Sequence, residues 1–560
     1  MLHLIGIRRP GTRFGVIRAV ATACGLAAVF GLAAAAYLPA GGGAARAVVA
    51  PSPMTDGWTK VVSGGFTDPN NSFAAFGVEF KGALYVSTIA NEAGSVFSGS
   101  RKAGGEIWRS EDGLTWKQIG TPGLGNVRNS TFRLVIFKDT LYAVSDNLND
   151  HGVEVWASSD GLEFNQIETP GFRDIDSSSS QVLVFNDRLL VGVANTKTGA
   201  QIWVSDDGQS FRQAVAGGMG NAKNTGISLP NGPRDAGPVF QGRLYVGVSN
   251  PTSGGEIWRT ADGLRWERVA EAGLGRSTNT VITPGLVFED RLYAVSTTGG
   301  SLDTLTGLEV FRTSDGATWE KVVSDGFSVG PERNIGGQLM EFKDRLFLVS
   351  DTMDPRLLIP SQPSERLAPR GFQLRVTTDG KQWTQVGKDG FGADSSLYGA
   401  LATIGGTAYL AAYDYHLGDQ LWRSTDGDTW ELVFREPVPS WFSMGGGLVD
   451  FGRHLYWVDN DLKRGVEVWR TDDMVVAEAT TTTLSGGTSA TTVDDGSTQT
   501  TAGGTSDSTT SATSGADDGG GGAGGLSSGS IALIIVLAAV AGAAIVGAVV
   551  MTVILSRRPR

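Results

Sequence analysis

An all-β ring of repeated four-stranded units is what this 560-residue sequence predicts, and three observations predict it. One short pattern, Ser/Thr-x-Asp-Gly-x-x-Trp/Phe, recurs along the chain. Its aspartates, Asp112, Asp160, Asp207, Asp262, Asp315, Asp379 and Asp426, follow one another at 48, 47, 55, 53, 64 and 47 residues. Between the patterns lie short alternating runs bounded by turn residues, and the last unit stops before its final strand while the missing piece stands at the start of the region. A period near 50 residues built from short strands is the signature of a β-propeller, here of eight blades with seven as the alternative count.

Each unit opens with an apolar run ending in Phe, as in Val135-Ile136-Phe137 or Val287-Phe288. A short turn leads into Leu-Tyr-Val-like alternation (Leu84 to Ser87, Leu141 to Ser145, Leu244 to Val248), whose period of two is that of a half-buried strand. Next come Glu106-Ile107-Trp108-Arg109-Ser110 and its equivalents, the Asp-Gly turn, and Trp-x-x-Val (Trp266 to Val269, Trp319 to Val322, Trp383 to Val386). These are strands a, b, c and d from the centre outward. Asp-Gly closes the c-to-d hairpin because glycine accepts the positive φ such turns require.

The final unit runs through Val466 to Asp473 and breaks off at Met474, whereas Asp56-Gly57-Trp58 to Val62 supplies a strand d at the other end. An N-terminal strand that completes the last blade closes the ring and removes its open edges. Twelve of the 14 Trp fall in strand c or at the start of strand d, which assigns them to core packing between blades.

Outside this array the two ends carry membrane signals. Arg8, Arg9, Arg13 and Arg18 precede an apolar run and then Ala45-Arg46-Ala47, so residues 1–47 read as an export signal. Residues 48–476 form the propeller ectodomain, and 477–529, rich in Thr, Ser, Gly, Ala and Asp, read as a disordered stalk. Ile531 to Leu555 is a 25-residue uncharged run within a transmembrane helix at 530–556. Arg557, Arg558 and Arg560 in the tail 557–560 stay cytoplasmic by the positive-inside rule and put the propeller outside.

Charge and composition exclude several function classes. Between the terminal arginines stand 38 basic and 58 acidic residues, a net of −20 that disfavours nucleic acid. The single Cys, Cys24, lies in the export signal, so the mature chain has neither disulfides nor thiolate chemistry. His3, His151, His416 and His454 lack the spacing of a zinc motif, and one carboxylate per hairpin is too few for calcium, so neither metal nor cofactor is expected.

The repeated Ser/Thr-x-Asp-Gly-x-x-Trp/Phe resembles the Asp-box, or bacterial neuraminidase repeat, of sialidase-like propellers. That family's box carries one more residue between Asp and Gly. The resemblance covers residues 56 to 474 and implies a propeller with the box between strands c and d. Sialidases of this architecture hold the substrate carboxylate with three Arg, the first in an Arg-Ile-Pro stretch, and no Arg-Ile-Pro occurs here.

Function is sought where the repeats differ. The a-to-b and c-to-d turns are short and uniform, whereas the b-to-c and d-to-a loops, on the opposite face, vary widely: 90–105, 217–236 and 352–371 are examples. On that face Asn71, Asn129, Asn224, Asn279 and Asn334 recur near strand a, with Arg128, Lys223 and Arg333 just before three of them. They form either a polar ring at the channel mouth or caps on their own turns. Trp441 is the one Trp in a d-to-a loop and stands there either for sugar stacking or for packing. The expectation is an anchored propeller that binds an envelope glycan or a protein without chemistry. A tethered sialidase-like glycoside hydrolase and a purely structural ectodomain are the alternatives.

Overall fold

The computed structural model describes residues 54–90, 104–147, 151–168, 170–229, 237–299, 306–329, 334–352, 371–414, 417–436, 443–461 and 464–473. The predicted signal, stalk and transmembrane segment lie outside them. The described residues fold into eight antiparallel sheets arranged as an eight-bladed β-propeller. Blade 1 comprises Asn71–Phe80, Ala83–Ala90, Ile107–Ser110 and Lys117–Ile119, paired in that order. Blades 2 to 7 repeat the order over 129–168, 177–215, 226–268, 279–323, 336–386 and 396–435.

Blade 8 uses both ends of the described chain. Ser443–Phe451, His454–Asp461 and Glu467–Thr471 supply strands a to c, and Trp58–Val62 supplies strand d. The register is Trp58↔Thr471, Thr59↔Arg470, Lys60↔Trp469 and Val62↔Val468. Trp58 also donates its indole N–H to Val433 O at 3.1 Å, so the closing strand is held by blade 7 as well. Burial explains the choice of strands: Leu84, Tyr85, Leu141, Leu189, Leu244, Leu292 and Leu346, at the start of each strand b, are almost wholly enclosed between neighbouring sheets.

Blade 4 departs from the sequence reading. Residues 217–236 were expected as one d-to-a loop, yet Gly226–Ser228 already pairs with Arg243–Ser249, as does Val239–Phe240. The extra residues therefore interrupt the innermost strand instead of lengthening the rim. Three residues are too few to show a strand period, which is why the pattern hid this segment.

The uniform face is locked turn by turn. In each hairpin the Asp carboxylate takes up two backbone amides, as Asp112 does from Leu114 N at 2.8 Å and Thr115 N at 2.7 Å. Ser110 Oγ accepts from Gly113 N at 2.7 Å. These amides hold the carboxyls of Asp112, Asp207, Asp379 and Asp426 down at about 2. The a-to-b turn of one blade then grips the hairpin of the next: Lys81 Nζ donates to Ser159 O, Lys138 Nζ to Asp206 O, both at 2.8 Å, and Gln241 Nε2 to Ser314 O at 3.0 Å.

Candidate functional site

The opposite face is built on a repeated buried latch. Gly123 in the d-to-a loop adopts φ 65° and lies against Gly104 of the preceding b-to-c loop, where a β-carbon on Gly104 would come within 2.4 Å of the Gly123 Cα. Gly218 with Gly199 and Gly273 with Gly254 repeat the contact. After the glycine comes a bulky residue forced to positive φ, as in Phe66, Leu124, Phe172, Met219 and Phe391. The gain is stacking on strand c: Phe66 on Trp108 and Phe172 on Trp203, both with centroids 4.6 Å apart. In blade 6 the strand c residue is Arg375, whose guanidinium sits 4.1 Å over Phe327 instead.

The predicted asparagines belong to this latch. Asn129 Nδ2 donates to Gly123 O at 2.9 Å and to Glu154 at 2.6 Å. Asn71, Asn224 and Asn279 do the same with Gly65 and Glu106, Gly218 and Glu256, and Gly273 and Glu309. Asn334 uses Gly326 O and Gln373. All five are buried, so their amides are committed to the fold and are not presented as a polar ring. Each Asn caps the turn before it, as one of the two expectations had it, and also binds a carboxylate or amide that sequence reasoning did not single out. The signal was Glu-x-Trp at the start of strand c: Trp108, Trp156 and Trp258 donate their indole N–H to Glu106, Glu154 and Glu256 at 2.8–3.0 Å. Blade 3 has Ser177 in place of Asn, and Asp174 fills the role by accepting from Asn195 and Gln201 at 2.8 and 2.9 Å.

What stands above the latch is the accessible rim. Arg128 and Lys223 are exposed, as are Val127 and Ile175 at the loop tips. Arg276, half-buried, is already paired with Glu309 and Asp325. Arg333 and Trp441 lie outside the described residues. The structure thus brings the asparagines into a repeated internal arrangement and leaves Arg128 as the predicted site residue that faces solvent.

A second repeat pins the b-to-c loops. The last residue of strand b clasps its own loop: Asn147 donates to Gly152 O at 3.0 Å, and Asn195, Asn250, Asp414 and Asp461 accept backbone amides at 2.6–3.0 Å. Thr298 Oγ1 donates to Thr306 O at 2.5 Å. The equivalent positions before the two long insertions are Ala90 in blade 1 and Thr352 in blade 6. Alanine has no group for such a clasp, and the buried Thr352 hydroxyl has no hydrogen-bond partner.

Between blades 7 and 8 the latch becomes strongly acidic. Asp419, Glu436, Asp459, Asp461 and Glu467 are buried together. Arg464 pairs with Asp461 at 2.8 Å and with Glu436, and Lys60 of the closing strand reaches Glu467 at 2.7 Å. Burial pushes the Glu436 carboxyl up to about 7, and burial beside Glu436 and Asp419 pushes Asp459 well above the usual carboxylate range.

No family model matches the chain, and no curated protein matches it. Among solved structures it is similar to a prolyl endopeptidase, at TM-score 0.40 and 12% identity over 70% of this chain and 55% of that one. It is also similar to a lectin from Burkholderia pseudomallei, at TM-score 0.40 and 10% identity over 66% of this chain and 98% of that one. A Trypanosoma rangeli sialidase gives TM-score 0.31 and 12% identity over 65% and 57%. The chain spans only about half the length of the endopeptidase. The fold assignment rests on the eight sheets themselves.

Proposed function

We propose that this propeller is the ligand-binding ectodomain of a membrane-anchored surface protein. It holds a glycan or a protein on the face of the b-to-c and d-to-a loops and performs no chemistry on it. The Ser/Thr-x-Asp-Gly-x-x-Trp/Phe hairpin repeat supports reading it as a relative of the Asp-box propellers. One observation carries the reading: sequence variation is concentrated above the latch on one face, while the seven Asp-Gly hairpins on the other face reproduce the same carboxylate-to-amide bonds. Rigid blades that present irregular loops are how repeat scaffolds make binding surfaces. The described chain ends at Asp473, where the other blades form their c-to-d hairpins. Net negative charge and the lack of a mature cysteine fit a surface ligand other than nucleic acid.

The test is binding by the full chain in detergent to arrayed glycans, envelope polysaccharide and envelope proteins, alongside fluorogenic glycosides. The expected result is binding without turnover, weakened by Arg128→Ala on the variable face and unchanged by Asp290→Ala on the uniform face. Turnover that vanishes with a rim carboxylate would replace this reading by that of a glycoside hydrolase.

A further inference from the structure

The inner edge of blade 6 differs from its siblings at three positions. Gly336 begins the innermost strand and pairs with Asp351 of strand b. A β-carbon on Gly336 would stand 3.3 Å from Asp351 Oδ2 and 3.2 Å from Thr297 Oγ1 of blade 5, so two side-chain oxygens converge on this buried glycine in a niche that a methyl group would crowd. In blade 2 the residue at this register is Thr131, opposite Asp146, and its hydroxyl fills the space by bonding Ser87 Oγ at 3.2 Å.

These oxygens are uncommitted. Among the described residues neither the Asp351 carboxyl nor the Thr297 hydroxyl has a hydrogen bond or ion pair to a protein group, and the adjacent Thr352 hydroxyl is buried with none. Blade 2 again supplies the contrast, because Asp146 is paired with Arg133 at 3.3 Å. Polar atoms in folded interiors find partners as a rule, and a group left without one points to a ligand. Asp351 is half-buried, so it remains reachable.

We propose that Asp351 and Thr297, whose oxygens converge beside Gly336, form a contact site for a saccharide, with the carboxylate accepting hydroxyl hydrogens and the threonine hydroxyl completing the pair. This rests on the binding reading above and names the ligand class and its contacts. A carboxylate takes two hydroxyl donors through charge-assisted bonds, and a threonine hydroxyl both donates and accepts, which matches the donor and acceptor character of a sugar diol.

The site carries its own pH signature. Desolvation pushes the free Asp351 carboxyl up to about 7. Hydroxyl donors favour its ionised form, so binding releases a proton and strengthens as pH rises through 7. Below 7 the affinity falls by up to about tenfold per pH unit. Titration calorimetry of the full chain with the best neutral oligosaccharide from the array, from pH 5.5 to 8.5, reads this directly. The expected result is that Asp351→Asn weakens binding at pH 8 by about tenfold and flattens the profile. Gly336→Ala, which crowds both oxygens at a backbone geometry alanine accepts, weakens binding while the melting temperature stays within a few degrees. Saccharide binding whose pH profile survives Asp351→Asn overturns this site and leaves the binding reading standing. Absence of saccharide binding at every pH overturns the site whatever other ligand the face holds, and absence of any ligand overturns both.

Discussion

The hydroxyl of Tyr85 in blade 1 occupies the place where a β-carbon on Gly161 of blade 2 would stand. Tyr142 meets Gly208, Tyr245 meets Gly316, Tyr293 meets Gly380 and Tyr456 meets Gly113 in the same way. The hairpin glycine therefore answers two demands, a φ of 77° at Gly161 and the tyrosine of the preceding blade. Arg109 adds a bond of 2.9 Å from its Nε to the Tyr85 hydroxyl.

Gly161→Ala should consequently cost more than a left-handed alanine alone, roughly 2–4 kcal/mol by denaturant titration. Tyr85→Phe in the same chain should return part of that loss, because the atom in the way is the hydroxyl. A loss under about 1 kcal/mol, unchanged by Tyr85→Phe, would reject the packing argument.

Asn129→Ala removes the bonds to Gly123 O and Glu154 and the one accepted from Asn147, leaving the buried Glu154 carboxylate with Trp156 and Asn126 alone, a loss of about 2–3 kcal/mol. Asn129→Asp should be worse, since it places a second carboxyl against Glu154. Ligand binding per folded molecule should be unaltered in the alanine variant. A variant of normal melting temperature that no longer binds would return the asparagines to the ligand site.

Removing residues 54–62 takes away strand d of blade 8 and uncovers Trp469 and Val468. The melting temperature should fall by more than about 10 °C, since the loss combines a whole strand with buried aromatic area. Adding the excised segment back as a peptide should recover part of it. An unchanged melting temperature would mean that the ring does not depend on this strand.

Stability should pass through a maximum in pH. Glu436 has its folded-state value raised to about 7, so its contribution is complete below about 4 and is lost as pH climbs through 7, and Asp459, pushed well above the usual carboxylate range by burial, acts in the same direction. The hairpin aspartates are depressed to about 2, so their contribution exists above about 4 and disappears as pH falls toward 2. Calorimetry should find the highest melting temperature at about pH 4, with a decline from there toward pH 7 that Asp459→Asn reduces. A melting temperature that keeps rising from pH 6 to 9 would contradict the assignment.

Fold and site were unequally legible in the sequence. The Asp-Gly hairpins, the alternation of Leu84 to Ser87 and the displaced strand at Trp58 are local signals, each readable within about ten residues. The latch is not local: Asn129 meets Glu154 across 25 residues, and a glutamate in a sequence does not announce that it is buried. The Asp351 niche was invisible for a related reason, because it depends on Thr297 and Gly336 from different blades coming to one point.

The closing strand runs antiparallel to Glu467–Thr471, which in turn is clamped against His454–Asp461. A pull along the chain at Asp473 therefore enters the ring through the middle member of a three-strand clamp, with hydrogen bonds on both flanks resisting sideways slip together. Such shear geometry yields only when many bonds break at once, whereas an outer strand would unzip one bond at a time. The blade built from both ends of the described residues thus meets a pull at Asp473 in shear.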